Sequence, residues 1–566
     1  GTDASFYRLI PKVVIKADTE SEVAKIIKAA ARHDIAITFR AAGTSLCGQA
    51  ITDSVLVIAG SSWKDYTILD KGHRIRLQPG IIGSLANGYL GPYGRKIGPD
   101  PASINAAMIG GIAANNASGM CCGTSQNSYR TVSSMRLILH DGTLLDTADP
   151  NSRESFYKTH PKLIADIANL AKKVKDNPVL ADRIRHKFKI KNTTGYSLNA
   201  LVDYDNPIDI ILHLMIGSEG TLGFISEIVY NTVVEHPYKA SALMIFPNIE
   251  NACSAAAVLT LAPVAAAEIM DRASLRSVED NEGIPSYIKT LSATATALLV
   301  ETRAYTTEEL RINIGKIIQS LEGIETERPL EFTEIETQYT KLWNIRKGLF
   351  PAVGAVRTIG TTVIIEDVAF PIKSLAEATL ELQSLFAKYR YDNSIIFGHA
   401  LAGNLHFVFT QDFSSAEEVE RYRRFMDDVC VMVVEKYDGS LKGEHGTGRN
   451  MAPYVEMEWG QDAYELMQEI KKTFDPKNLL NPGIIINHNP LAHIENLKPM
   501  PKTNPIVDKC TECGFCETSC PSKDLTLTPR QRIVIQREIS RLRSTQANDI
   551  RLQQLENDYI YQGELT

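Results

Sequence analysis

Four cysteines near the carboxyl end of the chain have a spacing that suits an iron–sulfur cluster. Cys510, Cys513, Cys516 and Cys520 follow the pattern C-x2-C-x2-C-x3-C, and Pro521 comes directly after them. This pattern is typical of 4Fe–4S ligands and indicates one-electron transfer, with a zinc knuckle or a chance grouping of cysteines as the alternatives. In two-cluster proteins the fourth cysteine binds the other cluster, and this sequence contains no second run. We therefore expect an incomplete or empty cluster site in which Cys520 lacks its cluster.

Two histidines and a glutamate form a second group that could bind a metal. His399 and His406 lie at the ends of the segment HALAGNLH, and Glu444 and His445 occur together in GEHGTG. Two imidazoles and one carboxylate suit a catalytic divalent metal that keeps open positions for water or substrate. Such a metal would lower the pKa of a bound hydroxyl group, and a neighbouring histidine would take the proton. The alternative is that these side chains are satisfied polar groups within glycine-rich turns.

Three glycine-rich segments have the composition of a dinucleotide site. In the first, RAAGTSLCGQA at residues 40–50, successive backbone N–H groups can converge on a phosphate, although an ordinary tight turn is equally compatible. The second and third, at residues 98–119 and 217–225, place small residues where a backbone must lie close to a flat ring or a diphosphate. The first segment is neither a Walker loop nor a G-x-G-x-x-G fingerprint.

The length and composition exclude several classes of protein. A chain of 566 residues predicts about three or four structural units. Its net charge of -7 gives no sign of a nucleic-acid partner. The five other cysteines have no disulfide spacing, which indicates a reducing, cytoplasmic location. Because no apolar stretch is long enough to span a bilayer, we expect any membrane contact to be peripheral, on the inner face of the cytoplasmic membrane.

Apolar periodicity and turn residues predict four parts, at residues 1–235, 236–438, 439–488 and 489–566. The predicted helices cover residues 19–33, 307–322, 372–389, 464–474 and 529–559, and the predicted strands cover residues 36–39, 55–58 and 297–301. Thr19 and Glu22 have the spacing of a capping box. The last helix carries six arginines, so it either meets an acidic partner or an anionic membrane, or packs on its own module.

The three glycine-rich segments, in their order and separation, resemble the FAD-binding domain of the vanillyl-alcohol oxidase and p-cresol methylhydroxylase superfamily. The resemblance implies that the flavin diphosphate lies on the first segment and that the isoalloxazine ring points toward a substrate domain. The FAD-binding residues that it implies are Arg40, Ala42, Gly43, Thr44, Ser45, Gly48, Pro101, Ser103, Gly110, Gly111, Ser118, Gly119, Thr221, Gly223, Ile225 and Asn481. No histidine occurs in the first two segments, so we expect the FAD to be non-covalent.

The segment HALAGNLH resembles the pattern H-x-G-D-G-N-L-H of the glycolate oxidase, D-lactate dehydrogenase and D-2-hydroxyglutarate dehydrogenase branch, which also has a later G-E-H-G. The metal ligands implied by this resemblance are His399, His406 and Glu444. The metal would be zinc, with manganese and iron as alternatives. His445 is implied as the base that takes the hydroxyl proton while hydride leaves carbon 2 for flavin N5. This chain departs from the pattern at Leu401 and Ala402, where Gly and Asp are usual.

The segment WNIRK resembles the part of these proteins that holds the substrate carboxylate, which implies that role for Arg346. The planar fork of a guanidinium group suits a carboxylate, although an ordinary surface salt bridge is the alternative without the resemblance. Glu366 and Asp367 match another segment of the family, and we interpret them as structural.

Along nearly its whole length the chain resembles the iron–sulfur D-lactate dehydrogenases of bacterial respiration. The implied fold is α+β, with an FAD-binding domain, an α+β cap that holds the substrate, and a helical, ferredoxin-like cysteine module. The implied reaction is oxidation of D-lactate to pyruvate, with electrons leaving through iron–sulfur clusters to a quinone or cytochrome. D-2-hydroxyglutarate and glycolate are alternative substrates, and an electron-transfer subunit without turnover is an alternative function. Those relatives are longer, so we expect a fragment.

Overall fold

The computed structural model describes residues 1–60, 62–281, 284–523, 525–545 and 550–559. Helix accounts for 45% and strand for 17% of the chain, and this mixture confirms the predicted α+β class. Within the described residues no helix is long and apolar enough to cross a membrane.

Sixteen strands occur in the described residues. In chain order they are β1 (Val13–Ala17), β2 (Ile37–Arg40), β3 (Val55–Ala59), β4 (Tyr66–Leu69), β5 (Arg74–Leu77), β6 (Arg95–Lys96), β7 (Val132–Ile138), β8 (Leu144–Asp146), β9 (Phe224–Asn231), β10 (Val233–Val234), β11 (Tyr238–Phe246), β12 (Ala266–Met270), β13 (Thr296–Ala304), β14 (Thr362–Ala369), β15 (Ile395–His399) and β16 (Asn404–Gln411).

The described part of the chain also contains twenty α-helices. They are α1 (Glu20–His33), α2 (Gly83–Leu90), α3 (Ile109–Ala114), α4 (Ser128–Thr131), α5 (Pro150–Thr159), α6 (Pro161–Lys175), α7 (Pro178–Lys187), α8 (Ala200–Asp203), α9 (Pro207–Met215), α10 (Ile249–Leu259), α11 (Arg272–Val278), α12 (Thr307–Ser320), α13 (Glu336–Val356), α14 (Leu375–Tyr389), α15 (Ala416–Val431), α16 (Gly448–Met451), α17 (Val455–Trp459), α18 (Gln461–Phe474), α19 (Pro529–Ser544) and α20 (Ile550–Tyr559).

Two sheets carry the glycine-rich segments. A parallel sheet of order β1-β3-β2 packs against α1, whose amino end has the predicted capping box of Thr19 and Glu22. The first glycine-rich segment begins where β2 ends, at Arg40. An antiparallel sheet of order β4-β5-β9-β7-β8 follows, and the third segment leads into β9. Strand ends therefore bring the first and third segments together.

The cap is an antiparallel sheet of order β11-β13-β12-β15-β16-β14 between two helical layers. Helices α10, α14 and α15 pack on one face, and α11 and α13 pack on the other. The register pairs Glu268 with His399 and Asp367 with His406. Since side chains alternate along a strand, these four residues share the face that packs against α13. One sheet face thus gathers two imidazoles and two carboxylates.

The chain returns from the cap beside β14. Ser440 pairs with Ala369, and the buried Lys442 Nζ lies 2.5 Å from the buried Glu366 Oε2. Asn450 Nδ2 donates to the other oxygen of Glu366 at 2.8 Å. A buried charge needs such partners to offset its lost hydration. This pairing fixes the return segment, residues 439–448, against the same sheet that carries the histidines.

The last predicted helix is divided into α19 and α20, and residues 546–549 of that prediction lie outside the described residues. Its arginines pair within the molecule. Arg537 binds Glu512, Arg530 binds Glu517 and Arg543 binds Glu556. These ion pairs favour the alternative in which the helix packs on its own module. The other predicted helices and strands occur within a few residues of the expected bounds.

Candidate active site

A cavity of about 750 Å³ lies between the glycine-rich segments and the cap sheet. Its volume is typical of cofactor and ligand sites. All three glycine-rich segments line it, together with His399 and His406 of the cap, Arg346 of α13, and Glu444 and His445 of the return segment. One site therefore contains the segments expected to hold a flavin and the group expected to act on a substrate.

Twelve of the sixteen residues predicted to bind FAD line this cavity. They are Arg40, Ala42, Gly43, Thr44, Ser45, Pro101, Ser103, Gly110, Gly111, Ser118, Gly223 and Ile225. Gly48, Gly119, Thr221 and Asn481 do not line it. Asn481 instead donates from Nδ2 to Gln49 O at 3.0 Å and to Glu219 O at 2.8 Å, which ties the closing loop to the first and third segments.

The charge around the first glycine-rich segment suits an FAD diphosphate. Gly43 has φ of +65°, and a Cβ there would lie 2.3 Å from Arg40 Nη2, so glycine lets the guanidinium lie directly beneath the loop. Arg40 donates to Thr2 O at 2.5 Å, and its guanidinium has no carboxylate partner among the described residues. Burial, followed by the guanidinium of Arg530, lowers the pKa of Arg40 to about 10. A bound anion would offset both effects.

The three predicted metal ligands come together with nearly equal separations. His399 Nε2 lies 3.2 Å from His406 Nε2 and 3.2 Å from Glu444 Oε1, and His406 Nε2 lies 3.3 Å from Glu444 Oε1. Ligand atoms at ~2.0 Å from a tetrahedral Zn²⁺ are ~3.3 Å apart. All three side chains are buried. The triangle therefore fits a divalent metal with an open position on the cavity side.

Buried partners orient two of the three ligands, His399 and Glu444. Glu268 Oε1 lies 2.6 Å from His399 Nδ1, so Nδ1–H donates and Nε2 remains free for a metal. Glu444 Oε2 accepts from Lys191 Nζ at 2.7 Å and from Ser118 Oγ at 3.0 Å, which leaves Oε1 free. Although burial alone would raise it, Lys191 and His399 hold the pKa of Glu444 well below its usual range. The Glu444 carboxylate is thus charged, and its Oε1 points toward the two imidazole nitrogens.

A second group, Asp367, His406 and His445, could also hold a metal. Its separations are longer, with Asp367 Oδ1 3.6 Å from His406 Nδ1 and Asp367 Oδ2 3.9 Å from His445 Nδ1. Asp367 already accepts from Asn404 Nδ2 at 2.5 Å, Glu444 N at 2.6 Å and His445 N at 2.9 Å. The donors that occupy Asp367 favour the first group as the metal site and agree with a structural role for this aspartate.

Arg346 presents the end of its guanidinium to the cavity. Its Nε donates to Glu268 Oε2 at 2.7 Å, and the guanidinium lies over the Phe397 ring at 4.2 Å. The two terminal nitrogens make no hydrogen bond to a described residue. Because Glu268 and Phe397 hold the stem, the terminal fork is pre-organised for a carboxylate.

His445 lies beside the ligand triangle with its imidazole only 16% exposed. Its ring stacks on that of His406 with centroids 5.2 Å apart. Burial lowers the pKa of His445 to about 4. The imidazole is therefore neutral near pH 7 and able to accept a proton.

The four cysteines of the carboxyl-terminal run lie in different environments. Cys513 lines the cavity, and burial raises the pKa of Cys510. Cys516 is exposed. Cys520 Sγ lies 3.2 Å from Ser522 Oγ, within its own turn. The run is thus adjacent to the proposed flavin site through Cys513, whereas the cluster itself stays a prediction.

Sequence reasoning missed two residues that complete the site. Glu268 joins His399 to Arg346, and Lys191 neutralises Glu444. Glu268 lies in the apolar strand AAEIM. A charged residue within such a strand must have buried partners, so the sequence alone could have marked Glu268 as part of a buried polar group. Lys191 lies in an irregular segment with no comparable signal.

Replacing Glu268 with glutamine should weaken metal binding about 10–100-fold, as loss of an outer partner of a metal ligand typically does. Glu268 accepts from two N–H groups, and a glutamine would turn an NH₂ group toward one of them. Equilibrium dialysis with Zn²⁺ measures the affinity. Glu301→Gln is the control, because Glu301 is also buried, lies in the neighbouring strand and pairs with Arg303 instead. Equal affinities in the two variants would refute the role of Glu268.

Comparisons with known proteins show the family of this chain. Residues 11–148 match the FAD binding domain family, and residues 235–485 match the C-terminal domain of FAD linked oxidases. A solved alkyldihydroxyacetonephosphate synthase shares the fold, with a TM-score of 0.52 and 15% identity, over 83% of this chain and 76% of the other. The chain belongs to the FAD-linked oxidases of the vanillyl-alcohol oxidase and p-cresol methylhydroxylase superfamily.

Curated relatives indicate the group within this family to which the chain is similar. A glycolate oxidase subunit of Bacillus subtilis is 26% identical over 84% of this chain and 89% of its own length. A mitochondrial D-lactate dehydrogenase (cytochrome) of Arabidopsis thaliana is 27% identical, with 84% and 74% covered. A D-2-hydroxyglutarate dehydrogenase of Haemophilus influenzae is 26% identical over 86% of this chain but only 49% of its own length. The chain is an FAD-linked dehydrogenase of the group that these proteins represent.

Proposed function

We propose that this chain oxidises D-lactate to pyruvate. The supporting observation is that one cavity holds Arg346, His445 and the triangle of His399, His406 and Glu444, next to the glycine-rich segments of an FAD domain. A carboxylate anchor, a base and a metal site within one cavity are what removal of hydrogen from a 2-hydroxy acid requires.

In this proposal Arg346 binds the substrate and His445 transfers the proton. Arg346 holds the substrate carboxylate through its two free terminal nitrogens. His445 takes the hydroxyl proton while carbon 2 loses a hydride, so the alcohol becomes a ketone. Bound FAD would accept that hydride, and a bound divalent metal, with zinc as our leading candidate, would polarise the hydroxyl oxygen.

The basic groups that line the cavity determine whether a second substrate carboxylate could be held there. Arg303 is already paired with Glu301 at 2.6 Å, and Lys96 is paired with Glu235 at 3.3 Å. Lys239 pairs with the same Glu235. Arg303 is therefore neutralised within the protein, whereas Lys96 and Lys239 share one carboxylate and keep a net positive charge. The exposed Lys347, which also lines the cavity, and the pair of Lys96 and Lys239 are the basic groups that would hold a second carboxylate if D-2-hydroxyglutarate were the substrate.

The cysteine run supports a path by which electrons would leave the flavin. We propose that Cys510, Cys513 and Cys516 ligate a 4Fe–4S cluster that passes electrons singly from the flavin toward a quinone or cytochrome, while Cys520 lacks the cluster that it would ligate. The position of Cys513 on the cavity wall is the observation that favours this path. A cytoplasmic location with peripheral contact on the inner face of the membrane would suit a quinone acceptor.

Anaerobic mixing with a panel of D- and L-2-hydroxy acids tests the substrate. We expect D-lactate to bleach the flavin absorbance fastest, with L-lactate at least about 100-fold slower, because one enantiomer presents its C2 hydrogen to the flavin while Arg346 holds the carboxylate. Faster bleaching by D-2-hydroxyglutarate would move the assignment to a dicarboxylate. Bleaching by none of the acids would favour an electron-transfer subunit without turnover.

A further inference from the structure

The loop that carries the first three cysteines is held against the flavin domain. This cysteine loop, residues 508–517, contributes Cys513 and Phe515 to the wall of the cavity. The first glycine-rich segment lines the same cavity through Gly43 and Thr44. Two segments separated by more than 450 residues in sequence therefore border one space.

One buried arginine joins these two segments. Arg530 of α19 is 3% exposed, and it donates from Nη1 to Gly43 O at 2.7 Å and from Nη2 to Ala42 O at 2.9 Å. The same guanidinium lies 2.5 Å from Glu517 Oε2. A Cβ on Gly514, which has φ of +84°, would lie 2.6 Å from Arg530 Nη1, so the cysteine loop packs directly on this group. The guanidinium of Arg530 thus bonds both the first glycine-rich segment and the cysteine loop.

We propose that Arg530 is a positioning residue that couples the cysteine loop to the first glycine-rich segment, on which the FAD diphosphate would lie. Its five donors are held in a rigid planar fork, which fixes the directions of its bonds to two carbonyls and a carboxylate; the ammonium group of a lysine has three donors at a single point and does not match that geometry. The inference concerns the placement of the cysteine loop and holds for any hydroxy acid that the protein oxidises.

Other contacts hold the cysteine loop to the rest of the protein, so loss of Arg530 should loosen one connection without unfolding the module. The buried Glu512 binds Arg537 and lies 3.2 Å from Lys498 Nζ. On the cap side, Arg357 donates to Asp508 O at 2.5 Å and to Cys510 O at 2.9 Å. Among the described residues, Arg530 supplies the side-chain bonds from the module to the glycine-rich segment.

The charges imply that FAD strengthens this connection. Arg530 is close enough to Arg40 to disfavour the charge of Arg40 and lower its pKa. A diphosphate on the glycine-rich segment would offset this repulsion and hold the carbonyls of Ala42 and Gly43 in place. FAD binding should therefore order the cysteine loop as well as the segment that it contacts, which is a coupling between two separate parts of the protein.

Hydrogen–deuterium exchange with and without FAD tests the coupling. In the parent chain, saturating FAD should slow exchange in residues 40–48 and also slow it about 10-fold in residues 508–517. In Arg530→Met, protection of residues 40–48 should persist, while protection of residues 508–517 falls below about 2-fold. Arg530→Lys, which keeps the charge but fewer hydrogen bonds, should give an intermediate value.

Arg532→Met is the matched control. Arg532 lies on the same helix, but its hydrogen bonds to described residues stay within the cysteine module, to Ser522 Oγ at 3.2 Å and Thr526 Oγ1 at 2.8 Å. This variant should protect residues 508–517 as the parent does. The proposal is overturned if FAD fails to protect the cysteine loop of the parent, or if Arg530→Met matches the control. If Arg530→Met does not fold, Arg530→Lys decides, and full protection in that variant overturns the proposal.

Discussion

Replacing His445 with alanine should leave FAD bound but slow anaerobic reduction of the flavin by D-lactate about 10²–10⁴-fold, which is the usual contribution of a general base. The imidazole faces the cavity beside the ligand triangle, and its pKa of about 4 keeps it neutral and able to accept the proton. Stopped-flow absorbance at the flavin band measures the rate.

The main chain around His445 should survive this change. Its carbonyl accepts from Gln49 Nε2 at 2.9 Å and from Asn115 Nδ2 at 3.3 Å, and its N–H donates to Asp367 Oδ2 at 2.9 Å. These bonds do not involve the imidazole. A lost rate can therefore be attributed to the side chain rather than to a displaced loop.

His493→Ala is the control for His445→Ala. His493 is also a buried histidine whose pKa burial lowers to about 4, but it contacts Tyr454 and does not line the cavity. We expect this variant to reduce its flavin at close to the parent rate. Full-rate bleaching in His445→Ala would show that another group takes the proton.

Much of the site could be predicted because its residues are close in sequence. His399 and His406 flank one hairpin between β15 and β16, and Glu444 and His445 are adjacent. Their local spacing was therefore enough to predict a shared site, and the structure brings all four residues to one cavity. The three glycine-rich segments were visible for the same reason, since a close approach of backbone to a cofactor favours glycine locally.

The rest depends on contacts that no local pattern records. Glu268 reaches His399 only because β12 and β15 are neighbours, and that strand order is set by the whole cap sheet. Arg530 belongs to a helix whose arginines were compatible with a solvated or membrane-facing surface. Its bonds to Ala42 and Gly43 depend on how the cysteine module docks, which periodicity alone does not determine.

Replacing Glu444 with glutamine should remove the metal while the fold persists. Oε1 of Glu444 is the carboxylate oxygen that lies 3.2 Å and 3.3 Å from the two imidazole nitrogens, and a neutral amide is a poor substitute for a charged metal ligand. The loss of affinity should exceed the 10–100-fold that removal of an outer partner costs. Elemental analysis after dialysis should find less than about a tenth of the metal that the parent retains.

Two comparisons make this test specific to the ligand triangle. Glu458→Gln changes another buried glutamate, which accepts from Asn192 Nδ2 at 2.7 Å and from Leu441 N at 2.8 Å and is absent from the metal-ligand groups of the described residues. It should retain the metal. His445→Ala should retain the metal as well, because His445 belongs only to the alternative group with Asp367 and His406. Metal lost from His445→Ala but kept in Glu444→Gln would instead place the ion between Asp367, His406 and His445.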